Sequence, residues 1–163
     1  MKRKVPILHE RYRIRRTAEF DMSIYETMDY LVRAEGEDFA RRWFAKVDAF
    51  IRKLETPHRL GNIDPANFSD VLSHLQVHDT ETTILLHVQD DTIFLATSGW
   101  SGLSWPDVLK EIQPEIERQI SDMGGHIERK AAKPDIHTSK ARSHAKTPSG
   151  GKGVRRRTPE LKR

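Results

Sequence analysis

Few side chains in this sequence could move a proton near neutral pH. His74 and His87 fall in segments where apolar residues alternate, and His78 lies just past the first of them. An imidazole titrates close enough to neutrality to act as acid or base, so His87 and His74 are the catalytic candidates. They read equally as ordinary strand histidines, satisfied by water or a neighbour. Arg11, Arg13 and Arg15 alternate with Tyr12 and Ile14, which on a strand puts the three guanidinium groups on one face. Such a row could grip phosphates; it could equally be a solvated edge strand. With Arg16 it places four like charges within six residues, which repel unless an anion or acidic partner is near.

Other chemistries lose ground on residue type or spacing. Cleaving RNA through its 2′-hydroxyl needs a base, an acid and cations for the phosphorane charge. Yet no Lys or Arg occurs between Arg59 and Lys110, where Asp79, Glu81, Asp90 and Asp91 stand instead. Cysteine is absent, removing thiol nucleophiles, disulfides and cysteine-based zinc sites. His74 and His78 are four apart, a ligand spacing for a helix but not for a strand, so neither a metal nor a cofactor is expected. Gly99-Trp100-Ser101-Gly102 is one residue short of a hydrolase elbow, and Gly150-Gly151-Lys152-Gly153 follows no strand.

Two further features suit binding. Trp100 and Trp105 flank a Gly/Ser loop and could anchor a partner; alternatively, Trp105 staples the start of the last helix and Trp100 closes the sheet. Charge is divided as well. Residues 1–128 carry 16 Lys/Arg against 22 Asp/Glu, whereas residues 129–163 carry 12 Lys/Arg against Asp135 and Glu160. Arg155, Arg156 and Arg157 make that tail a polyanion binder, with a solubilising spacer as the other reading.

These residues need elements to hold them. After the strand at Arg11 to Arg16, Thr17 can cap a helix from about Ala18 to Glu35, whose Ile24, Met28, Leu31 and Val32 keep helical spacing. Gly36 breaks it. Phe39, Trp43, Val47, Phe50, Ile51 and Leu54 then share one face of a second helix, with Arg41, Arg42, Lys46, Arg52 and Lys53 on the other. Turn residues at Pro57, at Leu60 to Asn62 and at Asp64 to Asn67 lead into strands. These cover Ser73 to Val77, then Ile84 to Val88 and Thr92 to Ala96, joined across Asp90-Asp91. A last helix starts at Ser104, with Asp107 answering as a capping partner, and ends at Gly124-Gly125. Pro114 either kinks it or separates two short helices.

The expected class is α+β: an N-terminal strand, a two-helix hairpin packed on a small antiparallel sheet, a C-terminal helix, and a disordered basic tail. Residues 1–128 form the domain with its helical extension, and 129–163 the tail. No apolar run reaches the ~20 residues of a membrane span, and Met1-Lys2-Arg3-Lys4 leads no signal-like stretch, so a cytoplasmic protein is expected.

From Tyr12 to about Gly61 the sequence resembles the RelE/ParE superfamily of bacterial toxins from toxin–antitoxin pairs. The matching residues are Thr17-Ala18-Glu19-Phe20, Ile24-Tyr25 and Tyr30-Leu31. The second helix adds Phe39-Ala40, Trp43, Val47, Ile51 and Leu54, followed by Pro57 and Leu60-Gly61. Ile84 to Val88 and Ile93 to Ala96 look like the family's paired central strands. The resemblance implies a cognate antitoxin and a target that is either mRNA on the ribosome or DNA gyrase. If the protein is an enzyme, the resemblance implies a metal-independent endoribonuclease, with Arg13 or Arg15 as phosphate clamp. The missing sheet cations favour a non-nuclease member. The alternative is a non-toxic accessory module on the same fold, binding protein or nucleic acid.

Overall fold

The computed structural model describes residues 8–56, 64–66 and 69–128; the expected turn at Pro57 to Asn62 and the basic tail lie outside them. The described chain runs β1 (Arg13–Arg16), α1 (Ala18–Glu35), α2 (Glu37–Lys53) and β2 (Asp64–Pro65). It continues through β3 (Ser73–Gln76), β4 (Thr82–Gln89), β5 (Thr92–Trp100) and α3 (Trp105–Asp122). It is an α+β fold.

Thr17 fixes where α1 begins. Its hydroxyl oxygen accepts the Phe20 amide at 3.0 Å, satisfying one of the otherwise orphaned N–H groups of the first turn. The same Oγ1 lies 2.9 Å from the carbonyl oxygens of both Leu95 and Ala96, which accept from the hydroxyl. Gly36 alone joins α1 to α2. Its φ of 93° suits a residue without a Cβ, and its amide closes α1 on the carbonyls of Leu31 and Val32.

The sheet order is β1-β5-β4-β3-β2. Strands β3 to β5 pair antiparallel, as expected; Asp64–Pro65, read as turn residues, instead adds β2 antiparallel to β3, and β1 lies parallel to β5, with Arg13 opposite Thr92 and Arg16 opposite Leu95. The sheet is therefore mixed. A parallel neighbour needs a long crossover, and here everything from α1 through β4 supplies it. The β4–β5 ladder slips by one residue, Leu85 facing Thr97 but Leu86 facing Leu95, so Ala96 is the extra residue of a bulge. The Thr17 hydroxyl reaches that bulge.

Both faces of the sheet are covered. Ile84, Leu86, Ile93 and Leu95 pack with Phe20, Ile24, Trp43, Val47, Phe50 and Leu54 from the helical hairpin. Leu85, Phe94 and Ala96 point the other way, onto Trp105, Leu109, Ile116 and Ile120 of α3. Each fully buried side chain of this size contributes roughly 1.5–3 kcal/mol. The Trp43 indole N–H donates to the buried Thr82 hydroxyl at 2.9 Å, tying α2 to β4. The last helix is thus a third layer rather than an appendage. It runs unbroken through Pro114, where the missing N–H costs one hydrogen bond and the buried Leu109 and Ile116 on either side hold the turn. Ser104 meets Asp107 side chain to side chain, its hydroxyl donating at 2.6 Å, and supplies no side-chain cap to a backbone amide.

Candidate functional site

Strand alternation sorts the candidate residues. Tyr12 and Ile14 join the core under the helical hairpin, which turns Arg13 and Arg15 to the α3 side. On β4, Leu86 faces the hairpin and His87 therefore faces α3; on β3, His74 lies opposite Leu85 and shares that face. His74, His87, Arg13 and Arg15 are thus brought to one face of the sheet.

Three of its residues form a row across the strands: Arg15 is opposite Phe94, and Phe94 is opposite His87. Strand spacing puts the outer two backbones about 10 Å apart. The His87 and Phe94 rings stack at 6.3 Å between centroids. A strap of chain, Met123 to Ile127, crosses this row. The Arg15 guanidinium donates to the Met123 carbonyl at 2.6 Å. His87 Nε2 lies 3.2 Å from the His126 carbonyl oxygen, and Nδ1 lies 3.0 Å from that of Val71. Between these anchors Gly125 rests on Phe94: a Cβ there would lie 3.1 Å from Phe94 Cζ and 2.9 Å from the Ile120 carbonyl oxygen. The His126 amide donates to Gln89 Oε1, and Ile127 packs beside α3.

Chemically, this arrangement holds a strap. A general base needs a lone pair aimed at a substrate proton. Both His87 nitrogens instead meet backbone carbonyls, and the ring is half-buried. His74 is half-buried on β3, and His78 stands edge-on to Phe50 outside the row. Among the described residues, no group of three His, Asp or Glu side chains could hold a metal ion.

Two of the four clustered arginines find counter-ions within the chain. Arg13 pairs with Asp91 at 3.3 Å, and Arg16 with Asp21 at 2.7 Å while also stacking on Phe20. The Thr92 hydroxyl and then the Arg13 charge hold the Asp91 carboxyl below the usual carboxylate range. Arg11 is exposed. The basic face of α2 is solvated, with Arg41 paired to Glu37 and Arg52 to Asp48. Trp105 is buried in the α3 core, which leaves it no surface for a partner; Trp100 is half-buried with its indole against Gly102. Arg155, Arg156 and Arg157 lie outside the described residues.

Sequence reasoning missed Gly125, Gln89 and the strap as a unit. The Gly124-Gly125 pair was the only local signal, and it reads as a helix end.

No family model matches the chain, and no curated protein matches it. Among solved structures, the chain is similar to one from a chromosomal ParDE TA (toxin–antitoxin) system of P. aeruginosa. The TM-score is 0.50 and the identity 12%, over 56% of this chain and 98% of that one. The likeness is one of fold.

Proposed function

We propose that the chain is the toxin-type member of a RelE/ParE-like toxin–antitoxin pair, working by binding its target and not by cutting RNA. The covered Arg15–Phe94–His87 row carries this reading, because the histidine and arginine that a sheet-face nuclease would use are engaged by the strap. The fold likeness to a ParDE chain, spanning nearly all of that chain, supports the toxin–antitoxin assignment. DNA gyrase is then the preferred target over mRNA on the ribosome, and a cognate antitoxin is the neutralising partner. Residues 1–128 act as one domain, and the tail adds sequence-independent affinity for polyanions. The work is cytoplasmic; no helix among the described residues is long and apolar enough to cross a membrane.

Induced expression of the isolated gene in bacteria tests this. Growth arrest, relieved by co-expressing a small neighbouring gene, is the expected result; unimpaired growth at high expression overturns it. A second reading, a non-toxic accessory module, draws on the same covered face together with the charge of the tail, and unimpaired growth would select it.

A further inference from the structure

The solvent side of α1 carries three of the six large apolar side chains exposed among the described residues, Phe39 and Phe44 of α2 and Leu8 being the others. Met22, Tyr25 and Val32 are 53%, 70% and 40% exposed there. With Asp29 they form one column along the helix, at successive spacings of three, four and three. The column lies in a strongly acidic stretch: residues 17–38 hold seven Asp or Glu and a single basic residue, Arg33. Apolar and aromatic side chains ringed by carboxylates fit a cationic chain, whose guanidinium groups can lie on Tyr25 while its charges meet the acids.

We propose that this face of α1 is the docking surface for the chain's own basic segment, residues 129–163. That segment carries 12 Lys/Arg against two acids, the charge complement of α1. It also starts close by. The Glu19 amide donates to Gln119 Oε1 at 2.8 Å, which sets the first turn of α1 against the last turns of α3. Arg15, two residues before the cap of α1, holds Met123. From Glu128, 35 residues can span roughly 115 Å when extended, far more than the domain requires. Tethering also supplies an effective concentration on the order of millimolar, enough for a weak electrostatic contact to form. The acidic α3 is a poorer dock. Its Glu115 and Asp122, like Asp29 of α1, have arginine partners, but none of the large exposed apolar side chains among the described residues belongs to it.

The consequence is competition. The tail cannot lie on α1 and on a polyanion together, so docking weakens the affinity for nucleic acid that the proposed function gives to the tail. Only that affinity is borrowed from the proposed function; growth arrest plays no part in the test, so either reading can fail alone.

Amide NMR spectra of the full chain and of residues 1–128, which contain both apolar cores, provide the first measurement. Differences are expected at Met22, Tyr25, Asp29 and Val32, fading as salt rises to about 0.5 M. The second measurement is binding of a 20-base-pair DNA duplex at about 50 mM salt. Glu26→Lys with Asp29→Lys should tighten binding by the full chain roughly tenfold, as the tail is released. Glu111→Lys with Glu128→Lys alters net charge equally away from α1 and should have a clearly smaller effect. Superimposable spectra, differences confined to α3, or equal gains from the two double variants each overturn the proposal. So do differences that grow with protein concentration, which would assign the face to a second copy.

Discussion

The His87 ring stands between two carbonyl oxygens, 3.0 Å from that of Val71 before β3 and 3.2 Å from that of His126 beyond α3. A neutral imidazole has one N–H and can donate to only one of them; the protonated ring donates to both. The contact joins the start of the antiparallel sheet to the end of the last helix.

Replacing His87 with Ala removes these bonds from a half-buried position. A loss of about 1–3 kcal/mol in urea unfolding is expected, with faster hydrogen exchange at Gly125 to Glu128 than elsewhere. Toxicity should survive in the His74→Ala, His87→Ala double variant if the protein works by binding. A folded double variant that no longer arrests growth would falsify that mechanism and restore the two histidines as acid and base.

Gly125→Val probes the strap without replacing any residue of the row beneath. The new side chain would press on Ile120 and on the Phe94 ring, so the strap must lift. Expected are a stability loss of about 1–3 kcal/mol and deprotection of the strap amides, with α1 and α2 undisturbed. Unchanged exchange would show that the segment is not held where the hydrogen bonds place it.

Elements whose pattern is local were legible in the sequence. Thr17, Gly36 and the apolar stripe of residues 39 to 54 fixed two helices, and Asp90-Asp91 marked a hairpin, because caps, turns and periodicity act within a few residues. Partners chosen over long separations were not legible. Nothing near Arg15 announces that the Met123 carbonyl will accept its hydrogen bond, nor does anything near β1 specify a parallel seat beside Thr92. The face to which α3 would dock was equally hidden, since its apolar stripe suits either side of a sheet. His74, His87, Arg13 and Arg15 could be picked out by type, but their shared face emerged only with the strand order, and their engagement only with the strap.

Thr17→Ala separates local from distant stabilisation. The cap alone is worth about 1 kcal/mol, and the hydroxyl also serves the bulge at Ala96. The expected loss is about 2 kcal/mol in urea, with Thr17→Ser restoring most of it. A Thr17→Ala loss near zero would mean that neither bond contributes.

Glu115 supplies a pH signature. Hydrogen bonds from Arg118 first, and then Gln119, push its carboxyl down to about 2. A group depressed in the folded state stabilises fully above its ordinary value of 4.5 and loses that contribution as pH falls from there toward 2. Carboxyl NMR should place its titration midpoint near 2, and Arg118→Ala should move it back up. A midpoint unaffected by that substitution would remove Arg118 as the cause.

The parallel seat of β1 has a consequence for birth on the ribosome. Thr17 meets Leu95 across 78 residues, so the amino-terminal strand has no neighbour to pair with until β5 has been synthesised and has cleared the exit tunnel. Until then the two helices can only wait with one flank bare, and the sheet closes late, as a single long-range event. Folding speed should therefore follow β5 and the bulge that receives Thr17, and a nascent chain stalled before that point is the form most exposed to aggregation.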